Sequence, residues 1–380
     1  MARRVLDLSF GTIASMLPVL LVAGVVVLAI FFVGQRFRLF GRDISLAPTS
    51  LANLEPGNPR DVSIYTLLPK DGIRSIDDPR FVPASAAGPD MVDQEFVIGL
   101  IINGDTRAYP ITVLSRHEIV NDVVGGTPIA VTYCPLCFTG IVYDRRVGGE
   151  TLEFGVSGKL VMNDLVMFDR QSDSLWQQIL GEGIDGRYKG TRLTAVPATQ
   201  TTWAQWRAAH PETLVLDKNG GYGSDSYAGY YASGDKGVLG SFRSDDRLPP
   251  KAFVLGLTVG DQPKAYPFQE LERSPVVHDS LGGRDLVIVH DVRSGTAVAF
   301  DRQVEDRLLT FDLIESVAGD LLLRDRETGS VWSGLSGTAR EGPLAGAELT
   351  QLPAFYSFWF AWSDFYTQTD LYQVDVPKRP

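Results

Sequence analysis

Hydrophobic positions follow two different patterns along this chain. From Leu8 to Gly34 no charged residue interrupts a run dominated by Leu, Val, Ala, Ile and Phe. About 20 apolar residues in helical form cross the hydrocarbon core of a bilayer, so residues 1–35 predict one transmembrane helix, with Pro18 tolerated inside it. The run is longer than the apolar part of a cleaved signal peptide and has no small-x-small end, so it reads as an uncleaved anchor. Beyond it, apolar residues come in short runs separated by turn signals. Phe96–Ile102 reads as a strand closed by the two-residue hairpin turn Asn103-Gly104. Pro110 opens a short helix, and Gly125-Gly126 marks another turn. Thr127–Tyr133 and Thr139–Tyr143 read as strands on either side of Cys134 and Cys137. Leu152–Val156 and Leu165–Phe168 continue the β pattern. Thr201 or Thr202 caps a short helix that carries Trp203 and Trp206 on one face.

The pattern occurs twice. Displaced by 157 positions, residues 96–145 lie on residues 253–302 without a gap and share 16 of 50 identities, where average composition gives about three by chance. Ala108-Tyr109-Pro110, Asp122, Gly125-Gly126 and Asp144-Arg145 recur as Ala265-Tyr266-Pro267, Asp279, Gly282-Gly283 and Asp301-Arg302. At a displacement of 156, Asp169-Arg170, Trp176, Trp203 and Trp206 fall on Asp325-Arg326, Trp332, Trp359 and Trp362. The expected fold class is α+β, predominantly antiparallel β, with two tandem homologous modules about a pseudo-two-fold axis. The expected organisation is an anchor (1–35), a connector (36–95), a first module (96–216), a linker (217–252) and a second module (253–373). Residues shared by both modules read as scaffold: ion pairs and core aromatics.

Composition narrows the function. The 380 residues carry a net charge of −11, with no basic footprint for nucleic acid. Arg3 and Arg4 before the anchor and Arg36, Arg38 and Arg42 after it leave the orientation undecided by flanking charge. The lysine-poor, Gly-, Asp-, Tyr- and Trp-rich remainder predicts an extracytoplasmic domain. The expected partners are the lipid bilayer, a membrane protein and a small molecule of unspecified class. Two cysteines in the whole chain exclude a disulfide scaffold.

Where the modules differ, the differences cluster. Tyr133-Cys134-Pro135-Leu136-Cys137 stands opposite His290-Asp291-Val292-Arg293-Ser294, and His117-Glu118 stands opposite Ser274-Pro275. Phe154-Gly155-Val156-Ser157-Gly158 belongs to the first module alone. The two cysteines suit several chemistries. They are a structural disulfide, though so short a loop removes little chain entropy; two small buried hydrophobes; a redox dithiol; a ligand knuckle for copper or zinc; or a nucleophile. Under the last three readings Cys134 and Cys137 act with His117 as activator or third ligand. Glu118 joins them at the site, and Asn121 and Ser157 lie behind. The rival is a non-enzymatic interaction module that presents Tyr222, Tyr227, Tyr230 and Tyr231 in a groove, although loop tyrosines also serve simply to pack a linker onto a domain.

The run Gly104–Arg145, with Ala108-Tyr109-Pro110, His117–Asp122, Gly125-Gly126 and Cys134-Pro135-Leu136-Cys137, resembles a bacterial and archaeal family known as domain of unknown function 3179. Lys70–Ile73, Ile76–Pro79, Phe154–Gly158, Asp164–Arg170, Trp176 and Thr201–Trp203 also resemble its pattern. The resemblance covers the chain after residue 65. It implies an exported or membrane-attached protein and no particular reaction. Family patterns often place a small residue after the second cysteine. Phe138 stands there in this chain and argues against a tight turn with positive φ.

Overall fold

The computed structural model describes residues 63–374 apart from Ser241 and Ala318, all within one compact unit. The expected transmembrane helix lies outside the described residues; among those described, no helix is long and apolar enough to cross a membrane. Almost every strand pairing is antiparallel. The two parallel exceptions are Leu214–Leu216 on Asp105–Pro110, and Asp370–Leu371 on Gln262–Pro267. The α+β, mostly antiparallel expectation therefore holds.

The chain reaches the site through three sheets. In the first, Phe96–Ile102 pairs with Asp105–Pro110 across Asn103 and Gly104, which take φ of 49° and 81° as a primed hairpin turn requires. Pro110 then caps the helix Ile111–His117. In the second sheet, Ile119–Val124, Thr127–Cys134 and Thr139–Asp144 form a meander. In the third, Phe154–Val161, Asp164–Asp169, Leu175–Gln177 and Glu182–Asp185 follow in order. The Thr202 hydroxyl then accepts a hydrogen bond from the Gln205 N–H and caps the helix Trp203–Ala209. Residues 253–374 repeat this order of elements: Val97 faces Pro110 as Val254 faces Pro267, and Cys134 faces Thr139 as Asp291 faces Thr296.

The residues shared between the halves anchor the elements through hydrogen bonds more than through ion pairs. The Trp176 indole donates to Asp169 at 2.9 Å and Trp332 to Asp325 at 2.8 Å. Trp206 and Trp362 donate to Thr213 and Thr369. Tyr109 and Tyr266 donate to Asp122 and Asp279. Asp169 thus holds an indole, and the adjacent Arg170 pairs with Asp71 and Asp77 instead. Those two aspartates belong to the stretch read as a connector. That stretch also supplies Ile64–Thr66 and Phe81–Pro83, which extend two of the sheets at their edges. One apolar cluster runs through both halves and includes Cys134, Cys137, Phe138 and Trp176 with Leu255, Tyr266 and Phe358.

Candidate functional site: two thiols and a buried aspartate

Cys134 ends one strand and Thr139 begins the next, so the cysteines sit on a four-residue hairpin loop closed by the Cys137 N–H donating to the Cys134 carbonyl at 3.2 Å. Phe138 takes φ of +58°. The turn therefore has the left-handed residue that its sequence argued against, and the equivalent residue of the second half, Gly295, has φ of +64°. A bulky residue in this region is strained by about 1–2 kcal/mol. The strain is offset by packing: the Phe138 ring is 6% exposed and touches Phe96, Tyr133, Tyr231, Phe253 and Phe358, with centroids 4.9–6.2 Å away. The Cys137 carbonyl accepts from the Phe358 N–H at 3.0 Å, joining the turn to the second half.

Both thiols are free and buried. Both lie against the Asn163 carbonyl, with sulfur–oxygen distances of 3.6 Å from Cys134 and 3.4 Å from Cys137. Asn163 follows Met162 in a turn where both have positive φ, and this turn directs Asp164 into the interior. The Cys134 and Cys137 sulfurs and an Asp164 carboxylate oxygen all lie within 4.8 Å of one another. Asp164 Oδ2 accepts from the Gln177 side chain at 2.5 Å and the Ile179 N–H at 3.0 Å, while Oδ1 has no hydrogen-bond partner. Burial pushes this carboxyl up to about 7, against the pull of the Ile179 N–H and the thiols. Burial also raises both thiols, Cys137 most strongly.

Glu118 stands next to the cysteine strand, though its carboxylate is not one of the ligand atoms that lie within 4.8 Å of one another. It is 9% exposed and ends its helix in the left-handed region, at φ of 58°. Its backbone is fixed at both ends, with its N–H on the Leu114 carbonyl at 2.7 Å and its carbonyl on the Tyr133 N–H at 2.8 Å, one residue from Cys134. Its carboxyl has no hydrogen bond or ion pair among the described residues. Burial first, and then the charge of Asp164, push it up to about 8.

His117 takes another course. Its Nδ1 lies 2.7 Å from the Arg74 carbonyl and its Nε2 lies 2.7 Å from the Tyr222 hydroxyl. With both ring nitrogens engaged, it is not part of the group formed by the two sulfurs; Asp164 takes the place expected for it. The physical reason is that the Arg74 carbonyl and the Tyr222 hydroxyl, both distant in sequence, hold the ring between them. Asn121 and Ser157 serve the framework: Asn121 bonds Asp77 and both backbone groups of Phe154, and Ser157 donates to the Val166 carbonyl. The linker tyrosines pack onto the site rather than opening a groove. The Tyr230 hydroxyl donates to the Leu136 carbonyl at 2.7 Å, and those of Tyr231 and Tyr133 lie 3.0 Å apart. The Asn163 side chain accepts from the N–H groups of Val238 and Leu239 and donates to the Gly240 carbonyl, so it ties down the linker. Gly237, at φ of +62°, passes so close that a Cβ there would lie 2.1 Å from Asn163.

Sequence reasoning missed Asp164 because it recurs. Its counterpart Asp320 accepts from the Leu335 N–H, as Asp164 does from that of Ile179. The difference lies across the pocket. Asp320 pairs with Arg340 at 2.6 Å, whereas Ile184 stands at the matching position in the first half. One aspartate is neutralised by arginine; the other faces two thiols and no cation.

No curated protein and no solved structure matches the chain. The family model described as Protein of unknown function (DUF3179) matches residues 70–369, which include both halves and every residue of this site. By that match over most of its length, the chain belongs to the DUF3179 family.

Proposed function

We propose that this protein holds a divalent metal of the zinc class between Cys134, Cys137 and Asp164, in an extracytoplasmic domain tethered to the membrane by the apolar segment before residue 35. The observation that carries the reading is the unpartnered, fully buried Asp164 Oδ1 in a pocket with two thiols within 4.8 Å and no positive group. A carboxylate buried with one oxygen unpaired and no cation beside it is costly even when its other oxygen is bonded. A cation bound by the same atoms removes that cost, and binding displaces the thiol protons. Two sulfurs with a carboxylate oxygen suit Zn(II) better than Cu(I), which favours softer sets. The raised thiols and their burial under the linker oppose the redox and nucleophile readings, which need an accessible thiolate.

We further read the chain as two copies of one module, of which the second has lost the centre. The matched order of elements and the exchange of Cys134, Cys137 and Ile184 for Asp291, Ser294 and Arg340 support this. The second copy then serves as scaffold, and the centre holds metal at the junction of the copies rather than turning over a substrate.

The test is elemental analysis of the full chain purified in detergent without chelator. The expected result is about one zinc per chain, lost in Cys134→Ser and Asp164→Asn. A protein that takes up no metal even after reconstitution with zinc would refute the reading.

A further inference from the structure

We propose that the backbone carbonyl of Asn163 is the fourth protein ligand of this centre, closing it as two sulfurs and two oxygens; the assignment rests on the metal reading above. Three protein ligands leave a four-coordinate ion one open position, and a fourth closes it. The Asn163 oxygen lies 3.6 Å from the Cys134 sulfur and 3.4 Å from the Cys137 sulfur, and Asp164 is the next residue in the chain. In a tetrahedral zinc site with bonds of ~2.3 Å to sulfur and ~2.1 Å to oxygen, each sulfur–oxygen edge is ~3.6 Å. The two observed distances sit at that edge length.

The carbonyl is placed by a strained and anchored turn. Met162 and Asn163 join the strands Phe154–Val161 and Asp164–Asp169, at φ of 46° and 67°. Asparagine tolerates this region, but methionine is strained there, and Met162 is fully buried. Three hydrogen bonds from the Asn163 side chain to Val238, Leu239 and Gly240 then hold the turn in place. Among the described residues, the Asn163 carbonyl meets no donor but the two thiols. Their S–H groups satisfy it in metal-free protein, and metal binding removes those protons. Two thiolates then face the negative end of the carbonyl dipole, a repulsive arrangement in a buried pocket unless a cation lies between them. A neutral donor also adds no further negative charge to that pocket. The second half supplies an internal comparison. Gly319 takes the Asn163 position, and its carbonyl accepts from the Gln205 side chain. The residue that matches Gln205 at the displacement of 156 is Ala361, which has no side-chain donor and belongs to the apolar cluster that includes both cysteines. The carbonyl away from the cysteines has an amide partner, and the carbonyl beside them has only the thiols.

Co(II) in place of zinc reports the coordination in the full chain, purified in detergent. Wild type is expected to show thiolate-to-cobalt charge transfer and the d–d bands of a four-coordinate ion, unmoved by added thiocyanate because no position holds exchangeable water. Asn163→Gly keeps the carbonyl and suits the left-handed backbone, but frees the turn from residues 238–240. It should bind Co(II) about 10–100-fold more weakly in chelator competition, with d–d bands that shift on thiocyanate addition. A purely structural role would lower its stability and leave those bands unmoved. A crystal structure of the zinc-loaded full chain is the direct measurement, with the Asn163 oxygen expected at ~2.1 Å from the ion. An oxygen beyond ~3 Å with water in its place, thiocyanate sensitivity in wild type, or unmoved bands in Asn163→Gly would overturn the carbonyl assignment alone. Absence of charge transfer in wild type would remove the metal reading itself.

Discussion

Replacing Phe138 by glycine sets two effects against each other. Glycine removes the left-handed strain at φ of +58°, a gain of about 1–2 kcal/mol, and returns roughly 0.5–1 kcal/mol of it as extra chain entropy in the unfolded state. The same change deletes a ring that is 6% exposed and contacts five other aromatic rings. Deleting a buried phenylalanine side chain costs about 3–5 kcal/mol, and edge-to-face partners add to that. Packing outweighs strain, so Phe138→Gly should destabilise the domain by about 2–4 kcal/mol. Urea denaturation of the full chain, followed by tryptophan fluorescence, reads this as a lower midpoint at unchanged slope. A midpoint at or above wild type would show that the turn and not the ring controls this loop. Gly295→Ala is the companion measurement. At φ of +64° and with only ordinary contacts to Phe96 at 3.6 Å and 3.9 Å, it should cost about 1 kcal/mol from strain alone.

Other outcomes follow from the same pocket. Glu118 and Asp164 titrate near 8 and 7 in the fold against ordinary values of 4.5 and 3.8, so the metal-free fold keeps protons that the unfolded chain releases. Their contribution to its stability is therefore fully present below about pH 4 and is lost as pH rises to 8, by at most roughly 1.4 kcal/mol per pH unit for each group. Zinc-loaded protein should show the opposite trend over pH 5–8, because binding needs the Asp164 and thiol protons gone, and thermal melts with and without zinc should diverge as pH increases. Ile184→Arg, which copies Arg340, should raise the melting temperature of metal-free protein and abolish zinc binding measured by calorimetry. Asn163→Ala should cost about 1–3 kcal/mol and speed hydrogen exchange across residues 237–240, since three hydrogen bonds to the linker are lost. Unchanged exchange there would mean that the linker is held by Tyr230 and Tyr231 instead.

Local rules carried much of the fold. The Asn103-Gly104 hairpin, the helix after Pro110, the strands around the cysteines and the Thr202 cap all depend on residues near one another in sequence, where turn chemistry and period-two patterning are informative. The pairing of the two sulfurs was legible for the same reason. Asp164 was not, because an aspartate, Asp320, also stands at the matching position of the second half, and only the distant exchange of Ile184 for Arg340 distinguishes the two settings. His117 was misplaced because the groups that hold its ring, the Arg74 carbonyl and the Tyr222 hydroxyl, come from segments 43 residues before and 105 residues after it. Phe138 raised the same difficulty in reverse. Its unfavourable backbone is maintained by rings drawn from the linker and the second half, information that no short window of sequence contains. Ile64–Thr66 and Phe81–Pro83 were read as connector because three-residue edge strands are too short to show alternation.

The hydrogen bond from the Phe358 N–H to the Cys137 carbonyl has a consequence for dissection. Cutting the chain after residue 252 would strip that amide from the cysteine turn and leave Phe138 without Phe253 and Phe358, exposing an oily knob next to two reactive sulfurs. An isolated leading half should clump and oxidise. The second half thus acts as the clasp that holds the cysteine turn of the first in shape.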